Sequence, residues 1–133
     1  MKKIASSLAF KFIGKPYIWG GDDAIAGFDC SGFVIEILKS VGLLPRSGDW
    51  TAEDLYLLFE DKKVLVAKEG CLVFFAKKNK INHVEYVWKY GLTIGASGGG
   101  SRTLTREDAI KQNAYIKMRP IRTDVFAIVN PFK

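Results

Sequence analysis

A chain of 133 residues, 48% apolar and 26% charged, is long enough for one hydrophobic core and has the balance of a globular protein rather than a disordered one. Its uncharged apolar runs, such as residues 71–76, fall far short of membrane-spanning length, which excludes a transmembrane helix. The net charge of +6 invites a nucleic-acid reading, but residues 16–61 carry nine acidic against two basic residues, −7 locally, and leave +13 to the rest. That acidic segment holds the motif-like residues, so no nucleic-acid partner is expected, and the other lysines read as a solvated surface. Two cysteines and one histidine are too few for a disulfide framework or a zinc site; no metal and no organic cofactor is expected.

In chain order, Ile4, Leu8 and Phe12 predict a helix over 2–13, ended by Gly14 and Pro16. Its basic start and apolar stretch have a faint likeness to a signal peptide. Lys11 interrupts the stretch and no small-residue cleavage site follows, so the segment reads as part of the mature domain, without an export address. Residues 17–28 read as a Gly- and Asp-rich loop. Phe33, Val34, Ile37, Leu38 and Val41 then share one helical face, with Gly42 closing the helix and Asp29 or Cys30 at its start. Thr51-Ala52-Glu53-Asp54 predicts a capping box and a short helix to about Phe59. Short β-prone runs follow at 64–67, 71–76, 83–88, 92–96, 115–118 and 125–129, with one more helix over 105–112 capped by Thr105. Helices first and strands later predict a single α+β domain over 1–133, its N-terminal helices packed on an antiparallel sheet of about five to six strands.

The chemistry concentrates around Cys30. A cysteine in the first turn of a helix meets unpaired backbone N–H groups and the positive end of the helix dipole, which stabilise a thiolate. Its own N–H points where an oxyanion develops. A nucleophilic thiol needs a base, and His83, at the start of a strand alternating through Val84, Tyr86 and Trp88, is the one histidine available. Cys71, inside the apolar run Leu72-Val73-Phe74-Phe75, reads as an inert core residue.

Pro16-Tyr17-Ile18-Trp19-Gly20-Gly21, followed by Gly27-Phe28-Asp29-Cys30-Ser31-Gly32-Phe33-Val34, resembles the signature of the NlpC-type cell-wall cysteine peptidases, papain-like murein endopeptidases. Glu69-Gly70-Cys71-Leu72-Val73-Phe74-Phe75 is similar to the family's Gly-Asp-Leu-Val-Phe-Phe strand, with cysteine for aspartate. Asn82-His83-Val84-Glu85-Tyr86-Val87-Trp88 resembles its His-Val-Gly-Ile-Tyr strand. The resemblance implies a papain-like core with Cys30 as nucleophile, His83 as general base and Tyr17 as a donor to the oxyanion or substrate. It further implies that Asp29 and Ser31 recognise the free amine of a stem peptide; from the residues themselves, Trp19 reads as core or cleft wall, and Asp22 as a turn residue or an extension of the amine site beside Asp29. The substrate implied is the peptidoglycan stem peptide, cut at the γ-D-glutamyl bond to diaminopimelate or lysine.

The family's third polar residue, twelve positions beyond the base, maps to Gly95, which cannot hold an imidazole. Three outcomes follow: a Cys–His dyad assisted by water or a backbone carbonyl, a substitute such as Ser97 or Asn82, or an attenuated enzyme. The alternatives to hydrolysis are a peptidoglycan-binding or structural module and a papain-like acyltransferase or amidase of other specificity. A monomer is expected, made in the cytoplasm and acting on the cell wall, with phage lysis or tail machinery as its carrier.

Overall fold

The first helix, α1 (Lys2–Lys11), is buried along a narrow stripe of small residues, Ala5, Ser6 and Ala9. Ile4, expected on the inner face, is exposed, while Leu8 and Phe12 pack only partly against the core. Ser6 Oγ shares a hydrogen bond of 2.9 Å with the hydroxyl of the buried Tyr86. The computed structural model describes residues 1–23 and 27–133. Within the segment read as loop, β1 (Asp22–Asp23) and β2 (Gly27–Phe28) pair antiparallel, two short strands where none is expected.

Helix α2 (Cys30–Ser40) buries Phe33, Val34, Ile37 and Leu38, the face expected from their spacing. Each such side chain removed from water contributes roughly 1.5–3 kcal/mol, enough to hold this short helix against the sheet. Gly42 stands just past its end at φ +80, where a side chain is disfavoured. Helices α3 (Ala52–Leu58) and α4 (Arg106–Gln112) open with complete capping boxes, Thr51 with Asp54 and Thr105 with Asp108.

Five antiparallel strands form the sheet: β3 (Leu72–Lys77), β4 (Lys80–Val87), β5 (Leu92–Ser97), β6 (Tyr115–Pro120) and β7 (Ala127–Val129), in the order β6-β5-β4-β3-β7. The helices-on-sheet α+β architecture is the one expected. Leu72, Phe74, Val84, Tyr86, Ile94 and Ile116 face the helices. On the reverse face Cys71, Val73, Phe75 and Val87 form a second apolar cluster, covered by Val64, Ala67, Ile121, Val125 and Ile128. Cys71 is therefore a packed core residue of this cluster, 1% exposed.

The run 64–67 is not a strand, contrary to expectation. Beside β7 the chain makes one bridge, Lys63 to Val129; Val64 and Ala67 then turn onto the second cluster while Leu65 and Val66 point to solvent. Its β-propensity finds no neighbouring strand to pair with. Pairing of β3 with β4 shifts between Phe75 and Ala76: Phe75 faces His83 and Ala76 faces Ile81, so Asn82 is an extra, bulged residue. That bulge lets Ile81 and Val84 both enter the helix-side core and turns His83 to the reverse face.

Candidate active site

Cys30 is the first residue of α2, and Asp29 is its N-cap. The Asp29 Oδ1 accepts from the Gly32 N–H at 2.7 Å and from the Ser31 hydroxyl at 3.3 Å, and the Asp29 N–H donates to the Gly21 carbonyl at 2.9 Å. Burial raises the Asp29 carboxyl above its ordinary range, opposed by the hydrogen bonds from Gly32, Ser31 and Gly20. The glycines explain the close fit. A Cβ on Gly32 would strike the Gly21 carbonyl, so only glycine allows the Gly20–Gly21 segment to lie against the helix start. The half-buried first turn of the helix thus presents a thiol among backbone N–H groups that no preceding turn satisfies.

His83 lies on β4, 17% exposed at its side chain, with its ring 5.6 Å from that of Phe75. Its Nε2 meets Glu85 Oε2 at 2.8 Å, and the ring lines the same cavity as Cys30. Glu85 is fully buried and satisfied on both oxygens: Thr93 Oγ1 donates to Oε1 at 2.8 Å and the Arg119 guanidinium to Oε2 at 2.6 Å. Burial alone would lower the His83 pKa, but hydrogen bonds and charges from Cys30 and Glu85 outweigh it and carry it up to about 9. Burial would likewise raise Glu85, yet His83, Arg119 and Thr93 bring it down to about 2. At neutral pH the pair is an imidazolium and a carboxylate.

A pH dependence of stability follows. The raised His83 stabilises the fold fully below its ordinary pKa of 6.5, and that contribution is lost as pH rises through about 9. The lowered Glu85 contributes fully above 4.5, and its share is lost as pH falls through about 2. Urea unfolding should therefore show this pair's contribution greatest between pH 4.5 and 6.5, with a decline on either side of order 3 kcal/mol for the shared ion pair, counted once.

Tyr17 is 6% exposed, and Gly99 packs on it: a Cβ there would overlap the ring. Burial, then the charges of Cys30 and Asp29, push the phenol pKa well above its usual value, so Tyr17 stays protonated and able to donate. Replacing Tyr17 with Phe should lower kcat by about 10²-fold if that hydroxyl meets a developing oxyanion, with unfolding free energy changed by less than about 1 kcal/mol. Chromatographic assay of turnover beside urea unfolding checks both halves.

Two cavities meet at Tyr17, Trp19, Cys30 and Asn82. One, of about 360 Å³, adds Asp29, Ser31, Asp49 and Trp50; the other, of about 400 Å³, adds His83, Ser97, Arg119 and Arg122. The acidic segment seen in the sequence therefore walls one side of Cys30 and basic residues the other. Trp19, half exposed, lines both. Ser97 and Asn82, the expected substitutes for the missing third residue, line the cleft, but Nε2 of the imidazole meets Glu85. The expectation for the Asp22 side chain lies outside the described part of the chain. Among the described residues no three His, Cys, Asp or Glu side chains gather as a metal site.

Glu85 is the site residue that sequence reasoning passed over. Its signal was present: a carboxylate two residues beyond the histidine on an apolar strand shares a sheet face with it.

Residues 14–120 match the NlpC/P60 family model. The chain belongs to the NlpC/P60 family. Over 89 residues it is 41% identical to the gamma-D-glutamyl-L-lysine dipeptidyl-peptidase of Bacillus subtilis (strain 168), covering 63% of this chain and 26% of that protein. Over 78 residues it is 68% identical to protein P54 of Enterococcus faecium, covering 57% of this chain and 14% of the relative. The chain thus spans about a quarter or less of these relatives. The crystal structure of the NlpC/p60 domain of the peptidoglycan hydrolase SagA superposes with a TM-score of 0.69 at 26% identity, covering 97% of each chain. This NlpC/P60 chain shares that domain's fold along almost its whole length.

Proposed function

We propose that this chain is a cysteine endopeptidase that hydrolyses an amide bond in peptidoglycan stem peptides, the bond from γ-D-glutamate to lysine or diaminopimelate. The observation that carries the reading is Cys30 at the start of α2, sharing a cleft with a His83 whose Nε2 is held by buried Glu85. The name of the Bacillus subtilis relative supports the choice of bond.

In this reading Cys30 Sγ, as thiolate, attacks the scissile carbonyl carbon; a C–S bond forms and the carbonyl π electrons move to oxygen. The Cys30 N–H and the Tyr17 hydroxyl stabilise that oxyanion. The His83 imidazolium gives its proton to the departing amine nitrogen as the C–N bond breaks. Water, deprotonated by His83, then attacks the thioester, the C–S bond breaks, and Cys30 leaves as thiolate while a carboxylate product departs. The cavity holding Asp29 and Asp49 suits the free ammonium of a stem peptide, with Ser31 and Trp19 on its wall. The enzyme acts at the cell wall.

Digestion of purified muropeptides followed by mass spectrometry tests this. Fragments with a new amine on lysine or diaminopimelate are expected. Retention on cell wall without fragments would indicate a binding module, and a thioester resolved only by an added amine would indicate acyl transfer.

A further inference from the structure

The pairing of β4 with β5 sets Tyr86 opposite Ile94 and Val87 opposite Thr93. Continuing that register by one pair sets Glu85 opposite Gly95, on the sheet face that also carries His83. A Cβ built on Gly95 would lie 2.6 Å from Glu85 Cγ and 3.1 Å from its Cδ. The space a side chain at 95 needs is therefore filled by the side chain of 85. Two positions on neighbouring strands share one volume beside the imidazole, and only one can be occupied.

We propose that the residue positioning His83 has moved across the strand pair in this chain: Glu85 on β4 does the work expected of a polar side chain at position 95 on β5, and Gly95 is the vacancy that admits it. The proposal rests on His83 acting as the base. It turns the glycine that looked like a missing catalytic partner into half of a compensated exchange.

The surroundings fit a carboxylate built for this place. Thr93, on the same face as Gly95, donates to one oxygen, and Arg119, paired with Thr93 across β5 and β6, donates to the other. Those contacts fix the carboxylate so that its contact with Nε2 sets the ring's orientation in the cleft it shares with Cys30. A side chain at 95 could reach the same ring, because diagonal neighbours on adjacent strands are within range of long side chains. The charged groups around the imidazole are Glu85 on its own strand, Cys30 from α2, Arg119 from β6 and Arg122 from the following loop.

The chain's single histidine makes the test direct, because one imidazole gives one NMR titration. Wild type should titrate near pH 9. Glu85→Gln, close in shape but uncharged, should titrate at least one unit lower and lose about 10²-fold in kcat. Glu85→Gly should behave similarly or worse, and the exchanged double variant Glu85→Gly with Gly95→Glu should regain at least tenfold in kcat and an elevated imidazole titration. An unmoved titration in Glu85→Gln, or a folded double variant no better than Glu85→Gly alone, would overturn the proposal. If Glu85→Gly or the double variant fails to fold, the Glu85→Gln titration decides. The titration is read without turnover, so a protein inactive on muropeptides but with the expected shifts would refute the peptidase reading and leave the pairing standing.

Discussion

Replacing Cys30 with alanine is expected to lower kcat/KM on a stem peptide by at least ~10⁴-fold while leaving the fold intact. The side chain is only partly buried at the tip of α2, and the cap that holds the helix start is made by Asp29, so unfolding free energy should change by less than about 1 kcal/mol. His83→Ala should cost a similar factor in activity but also destabilise, because it leaves the buried Glu85 with one strong partner fewer. The double variant should be no slower than the worse single one, since the two side chains act as a unit. Multiplicative losses would mean that they do not cooperate in one step. Steady-state assays of the three variants, each beside an unfolding curve, decide this.

The second large effect is expected from a residue with no chemistry. Gly32→Ala places a methyl group against the Gly21 carbonyl and within 2.9 Å of Asp29 Oδ1. Backbone on one side and the cap on the other leave little room to relax, so the helix start must shift or the cap must break. Overpacking costs roughly 1–3 kcal/mol and a lost cap about 1, giving a destabilisation of about 3 kcal/mol. A shift of the helix start moves Cys30 relative to His83, and a displacement near 1 Å costs about 10² in rate. Urea unfolding and turnover of Gly32→Ala should both show the loss; wild-type values would contradict the close approach of the two segments.

These two residues show which parts of the molecule can be read in the chain. Cys30 was legible because its setting is local: a helix start is written in Asp29, Ser31 and the apolar spacing of Phe33, Val34 and Ile37. The capping boxes at Thr51 and Thr105 were legible for the same reason. Residues 64–67 misled because β-propensity describes a residue's fit to a sheet and says nothing of whether an adjacent strand exists. Ile4 misled because helical spacing shows an apolar stripe without showing that the helix buries the small residues Ala5, Ser6 and Ala9 instead. Glu85 was hidden at a different level. Alternation along β4 marks residues 83 and 85 as sharing a face, but only the register with β5 shows that Gly95 opposite is empty to receive the carboxylate. Cross-strand volume is a property of two segments, and neither segment states it alone.

The charge pattern gained a structural meaning by the same route. The acidic stretch supplies Asp29 and Asp49 to one side of the cleft, and the later strands and loops supply Arg119 and Arg122, paired with Glu85 and Asp124, to the other, so Cys30 stands between them.

The measurement that bears most directly on the central claim is limited alkylation of the native protein with iodoacetamide near neutral pH, followed by peptide mapping and residual activity on muropeptides. Cys71 is packed in the reverse-face cluster and Cys30 opens into the cleft beside His83. The first equivalent of label should fall on Cys30, and activity should disappear in proportion to its modification. Labelling of Cys71 ahead of Cys30, or activity that survives full modification of Cys30, would contradict the assignment of Cys30 as the nucleophile.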